Sequence, residues 1–153
     1  MIKAGGRMQV FPHMAENLRG LRVLVVDDER LMRWSIAETL AHAGHTVIEA
    51  EDGATAMLAL KERVEAIDAV VLDYRLPDSN DLALLAAIRQ LSRESAVVLM
   101  TAFGTPAVVH GALCMGVHYV LHKPFEMQDL ESLLRAACSA SARSATDGDI
   151  WER

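Results

Sequence analysis

Apolar and polar positions along the chain fall into five repeats of one pattern. Arg22 to Val26 (RVLVV) is a β-branched apolar run that stops at Asp27, Asp28 and Glu29. A continuous apolar run suits a strand covered on both faces, as in a parallel sheet. Met32, Ile36, Thr39, Leu40 and Ala43 then recur at helical spacing, and Gly44 closes the helix. His45 to Ala50 is a second short strand, and Gly53 to Val64 is a helix with Ala56, Leu60 and Val64 on one face. Ile67 to Leu72 is a strand ending at Asp73, followed by a loop with Pro77 and Asp78 as turn residues. Asn80 to Leu91 is a helix with Leu84, Leu85, Ile88 and Leu91 inward. Ala96 to Met100 is a strand ending at Thr101, and Thr105 to Met115 is a helix. Val117 to Leu121 is a strand ending at Lys123 and Pro124, and Met127 to Cys138 is the last helix.

Strict strand–helix alternation with short loops predicts an α/β fold, a doubly wound five-stranded parallel sheet with helices on both faces. Residues 1–20 and 139–153 lack this periodicity. They read as a poorly ordered N-terminal extension and a polar C-terminal tail around a domain at 21–138.

The charge-free stretch from Ser95 to His122 is long enough to test as a membrane span. Gly104, Pro106, Gly111 and Gly116 interrupt it, and His110, His118 and His122 are polar, so strand–helix–strand is the better reading. No membrane contact is expected. At 153 residues and a net charge of −6, the chain has the size of one domain and too little positive charge for general nucleic-acid binding. Cys114 and Cys138 form no CxxC, so neither a disulfide framework nor a zinc module is indicated, and two free thiols suit the cytoplasm.

In open α/β sheets, ligands bind beyond the carboxyl ends of the strands, at the switch point. Those ends deliver Asp27, Asp28 and Glu29, then Glu51 and Asp52, then Asp73, Thr101 and Lys123. With strand order 2-1-3-4-5, Asp27, Asp28 and Asp73 converge. Three close carboxylates raise one another's pKa unless a cation sits among them. All-oxygen ligands with open water positions suit Mg2+, and Lys123 with Thr101 completes a cradle for a phosphoryl group.

The ordered set Asp27–Asp28, Asp73, Thr101 and Lys123–Pro124, over residues 21–138, resembles the receiver domain of two-component response regulators. The stretches DDERLMRWSIAETL and DYRLPDSNDLALL are most similar to receivers of sigma-54-dependent, nitrogen-regulation type activators. The resemblance implies a flavodoxin-like (βα)5 fold. It also implies that Asp73 is the phosphoacceptor, with Thr101 and Lys123 contacting the phosphoryl oxygens. Asp28, Asp73 and the Arg75 carbonyl would ligate Mg2+ directly, Asp27 would act through metal-bound water, and the Lys123–Pro124 peptide would be cis.

The implied donor is a sensor histidine kinase or a phosphotransfer protein. The implied output is a switch in the helix 4–strand 5–helix 5 face, and the domain is not a turnover enzyme. Sigma-54-dependent activators continue into an ATPase and a DNA-binding domain that residues 139–153 cannot hold. A stand-alone receiver is therefore expected, with a fragment of such an activator as the alternative. An unphosphorylated pseudo-receiver is a further alternative. A haloacid-dehalogenase-type phosphatase fits poorly, because it needs Asp-x-Asp after the first strand.

Three features depart from the family pattern or stand out beside it. Val120 occupies the position, three before the lysine, where an aromatic residue is usual, so signalling through packing alone is expected unless a bulge re-aims Tyr119. The helix 105–115 has no charged residue, which suggests a homodimer face. Arg75 and Phe103, each two residues after a site residue, stand where they could gate water. His118 and His122, four apart on a strand, lie too far apart to share a metal ion.

Overall fold

The computed structural model describes residues 20–79 and 82–151. Its strands are β1 (Arg22–Val26), β2 (Thr46–Ala50), β3 (Ala69–Asp73), β4 (Ala96–Thr101) and β5 (Tyr119–His122). Its helices are α1 (Arg30–His42), α2 (Gly53–Glu62), α3 (Ala83–Leu91), α4 (Pro106–Cys114) and α5 (Met127–Trp151). All five strands are parallel, in the order β2-β1-β3-β4-β5. This is the expected order 2-1-3-4-5, with its reversal between β1 and β3.

Alternate residues of the central strands feed two cores. Leu24, Val26, Val70, Leu72, Val97 and Leu99 pack with Ala56 and Leu60 of α2, Leu85 and Ile88 of α3, and Ala112 of α4. Val23, Val25, Val71, Val98 and Met100 pack with Ile36 and Leu40 of α1 and with Leu130 and Leu134 of α5. Every residue of β3 and β4 is buried. Fully burying a residue of this kind contributes about 1.5–3 kcal/mol, so the sheet centre fixes where the strand ends lie.

Several helix ends follow local chemistry. Gly44, after α1, has φ +93°, the left-handed region that favours glycine. The Asp52 carboxylate accepts from Thr55 N at the start of α2, and Thr105 Oγ1 accepts from Val108 N at the start of α4. Gly111 within α4 has a packing reason, since a Cβ there would stand 2.9 Å from Leu82 Cδ1.

Three expectations need correction. Helix α2 ends at Glu62, because Arg63 is extended (ψ 136°), so Val64 is fully exposed instead of facing the core. Ala43, expected on the inner face of α1, is exposed at its C-cap. The last helix passes Cys138 and runs to Trp151. Ser139, Ala140 and Ser141 bring no helix breaker, and Ser141 Oγ donates to Glu94 O at 3.3 Å. The expected extension at 1–20 lies outside the described residues except for Gly20, as do Asn80, Asp81 and residues 152–153.

Candidate functional site

Four strand ends meet at one point. Asp27 follows β1 directly and is fully buried, Asp73 closes β3 at 7% exposure, and Thr101 closes β4 at 2%. Lys123 follows β5, and its N–H donates to Thr101 O at 2.8 Å, so the strand pairing itself delivers the side chain. The Lys123–Pro124 peptide is cis, as the resemblance implied.

Lys123 Nζ donates to Asp27 Oδ2 at 3.1 Å and to Asp73 Oδ2 at 3.3 Å. The other oxygens of these carboxylates face the backbone. Asp27 Oδ1 accepts from Glu29 N at 2.9 Å, and Asp73 Oδ1 accepts from Arg75 N at 3.4 Å. Asp28 is exposed, and the three carboxylates present ligand atoms that all lie within 4.8 Å of one another.

The electrostatics are unbalanced. Burial first, then the charge of Asp27, push the Asp73 carboxyl up to about 6, against the pull of Lys123 and the Arg75 N–H. Burial works against the charge on Lys123, but Asp27 and Asp73 outweigh it and hold the ammonium above its ordinary value. Three carboxylates face one ammonium, so the cluster carries excess negative charge in a partly dry pocket. This donor set is hard, anionic and partly open to solvent, and it fits a divalent cation that prefers oxygen.

Thr101 Oγ1 accepts from Phe103 N at 3.3 Å, which orients the hydroxyl at the rim. The Arg75 guanidinium lies over the Phe103 ring, 5.8 Å from its centroid. These two residues, each expected to gate water on its own, are therefore partners. Glu51 and Asp52, the deliveries of β2, do not join the cluster. Asp52 is engaged in capping α2.

Val120 pairs with Leu99 and packs against the core beneath α4. Tyr119 is opposite Val98 and 37% exposed. The register is regular, so no bulge turns Tyr119 toward Thr101. The strand partner of Thr101 is His122. A Cβ at Gly104 would stand 2.8 Å from Thr101 Cγ2, 3.1 Å from His122 Cε1 and 3.4 Å from Val109 Cγ2. The β4–α4 loop is thus pressed onto the threonine.

Sequence reading missed three supports. Arg33 Nη1 donates to Asp27 O at 2.8 Å, while its Nε meets Glu49 at 3.2 Å. Asp78 accepts from Gly53 N at 2.9 Å and Ala54 N at 3.0 Å, tying the loop after Asp73 to α2. Those two bonds hold the Asp78 carboxyl below its ordinary value. His45, fully buried by its side chain, accepts from Leu21 N through Nδ1 at 2.9 Å and meets Glu131 through Nε2 at 3.0 Å. Its signal was only a histidine opening an edge strand.

Among the described residues, no helix is long and apolar enough to cross a membrane. Residues 23–135 match the family model of the response regulator receiver domain. The DNA-binding transcriptional regulator NtrC of Escherichia coli is 35% identical over 121 residues, covering 79% of this chain and 25% of that protein. The chemotaxis protein CheY of Bacillus subtilis is 32% identical over 106 residues, covering 69% of this chain and 87% of that protein. The crystal structure of NtrX from Brucella abortus superposes with a TM-score of 0.76 at 29% identity, over 86% of this chain and 30% of that one. A CheY-like receiver from Methanospirillum hungatei has the same TM-score at 20% identity, a likeness of fold, over 82% of this chain and 99% of that one. The chain spans about a quarter of the length of the NtrC relatives it matches. Sequence match, strand order and the residues at the strand ends agree, and the chain belongs to the receiver domain family of two-component response regulators.

Proposed function

We propose that this receiver takes a phosphoryl group onto Asp73 from a phosphohistidine of a sensor kinase or phosphotransfer protein. The observation that carries this reading is the Lys123 ammonium bridging Asp27 Oδ2 and Asp73 Oδ2 at 3.1 and 3.3 Å. A cation so placed faces the oxygen that would attack, and it stands ready for the oxygens of an incoming group.

The step is an in-line displacement. A carboxylate oxygen of Asp73 forms the new O–P bond while the P–N bond to the donor imidazole breaks. The electron pair leaves on the imidazole nitrogen. The transition state is loose, so positioning and charge neutralisation do most of the work. Lys123 pairs with a phosphoryl oxygen, and the Thr101 hydroxyl donates to another. Glu29 N and Arg75 N keep Asp27 and Asp73 in fixed orientations. Asp28, Asp73 and the Arg75 carbonyl would hold Mg2+, with Asp27 acting through its water. When bound, Mg2+ would neutralise the carboxylates and the charge of the transferring group. The raised pKa of Asp73 supports this assignment, since such a cation relieves that conflict.

The acyl phosphate formed on Asp73 stores the signal until water hydrolyses it, so the domain assists its own modification and is not a turnover enzyme. The output is protein contact through α4, β5 and α5, including association with a second copy when phosphorylated. The proposed output involves no direct contact with nucleic acid. The contrary reading, a pseudo-receiver used only as a docking module, is disfavoured by the complete set of Asp27, Asp28, Asp73, Thr101 and Lys123.

Incubation with Mg2+ and a small acyl phosphate, followed by intact mass, tests the proposal. The wild type gains one phosphoryl group and Asp73→Asn gains none. A folded wild type that gains none, even with phosphorylated kinase, leaves the docking-module reading standing.

A further inference from the structure

Helix α4 carries two metal-binding atoms on its solvent side. His110 Nε2 and Cys114 Sγ lie 3.5 Å apart. Four positions separate them, which places both on one face of the helix. Both residues are exposed. A tetrahedral zinc ion, with Zn–S near 2.3 Å and Zn–N near 2.0–2.1 Å, sets its sulfur and nitrogen ligands about 3.6 Å apart. The pair therefore already stands at the bite of a chelate.

We propose that His110 and Cys114 form half of a site for Zn2+, and that the same pair from a second copy of the chain completes it. Sulfur and imidazole select a borderline-soft cation, unlike the all-oxygen cluster at Asp27, Asp28 and Asp73. A closed structural zinc site takes four ligands. Among the described residues, that aspartate cluster is the only group of three or more candidate metal ligands, so no third described residue joins His110 and Cys114. A second copy supplies the missing two.

The surface suits that partner. Residues 106–114 contain no charged side chain, so two such helices approach without like-charge repulsion. Leu113, 48% exposed beside Cys114, offers apolar contact at the rim. On binding, the Cys114 thiol releases its proton to solvent as the sulfur–metal bond forms, and neutral His110 binds through Nε2. The metal would clamp two α4 helices together whether or not Asp73 is phosphorylated. Metal availability would then act on the same helix as the phosphoryl signal.

The test uses the full chain, reduced, with Mg2+ in excess to occupy the aspartate cluster. It is titrated first with Co2+ as a coloured stand-in and then with Zn2+. The expected result is a thiolate-to-cobalt charge-transfer band with tetrahedral visible absorption, saturating at half an equivalent per chain and displaced by Zn2+. Sedimentation should show the mass doubling in step. Cys114→Ser and His110→Ala, both surface changes, should each lose band and doubling. A missing charge-transfer band, or one that survives Cys114→Ser, overturns the site. Saturation at one equivalent on a monomer overturns the ligands from a second copy. Neither result bears on phosphorylation of Asp73.

Discussion

Lys123 Nζ sits 3.3 Å from Asp73 Oδ2, yet Asp73 remains harder to ionise than a free carboxyl. Burial and the neighbouring Asp27 outweigh the ammonium. The folded-state pKa of about 6 lies above the unfolded value of 3.8. The native metal-free protein therefore holds the Asp73 proton more tightly than the unfolded chain between those values. Stability from this group falls as pH rises through that window, and the penalty is complete above it. Asp73→Asn should stabilise the metal-free protein at pH 7 by about 3 kcal/mol, read by urea unfolding, and most of the gain should be gone by pH 4. Equal stability of the two proteins at pH 7 would refute the cause assigned.

Removing the ammonium should hurt for the converse reason. Lys123→Met leaves Asp27, fully buried, without its ion pair. Loss of one partner of a buried pair costs about 3 kcal/mol. Mg2+ should recover much of this, because a cation at the cluster replaces the lost charge. Thermal unfolding with and without Mg2+ measures it, and a variant insensitive to Mg2+ would contradict a cation site at Asp27, Asp28 and Asp73.

Gly104 is where a single methyl should separate function from folding. A Cβ there would stand 2.8 Å from Thr101 Cγ2 and 3.1 Å from His122 Cε1. Gly104→Ala should displace the threonine and slow phosphoryl acceptance, and Thr101→Ala should abolish most of that sensitivity. Acceptance at the wild-type rate in Gly104→Ala would mean the loop moves instead and Thr101 stays in place.

Phe103 and Arg75 cover the rim together. An exposed cation–π contact of this kind is worth about 0.5–1 kcal/mol, or about a two- to fivefold change in rate. Phe103→Ala should shorten the life of the acyl phosphate by that factor, followed by loss of the phosphoryl mass with time. A longer-lived phosphate would show that the ring admits water instead of excluding it.

His45 lies far from this chemistry in role. Its ring joins Leu21 N, ahead of β1, to Glu131 on α5. His45→Ala loses both bonds and opens a cavity, at about 2–3 kcal/mol. Chemical denaturation should register the loss while the rate of Asp73 phosphorylation in folded protein stays at the wild-type value. A parallel fall in rate would place His45 in the site's support.

The five strands and the residues at their carboxyl ends were readable because each depends on local pattern. RVLVV before Asp27 and the run before Asp73 announce buried parallel strands, and topology then brings their ends together. The supports were not readable, because each joins positions remote in sequence. Asp78 caps a helix that begins 25 residues earlier, and His45 meets Glu131 86 residues later. Val64 misled because helical spacing continued past Glu62 while the backbone did not. The polar composition after Cys138 suggested a loose tail, but alanines recur through it and the helix continues to Trp151. His110 and Cys114 gave no signal as a pair, because neither belongs to a CxxC motif and only the helix sets them on one face.

The central claim is that Asp73, and no other carboxylate of the cluster, carries the phosphoryl group. Phosphorylated protein reduced with borodeuteride converts an acyl phosphate into a deuterated alcohol, and peptide mass mapping then places the label. The account predicts label at Asp73 alone. Label at Asp27 or Asp28, or none on protein that has gained phosphoryl mass, would contradict it.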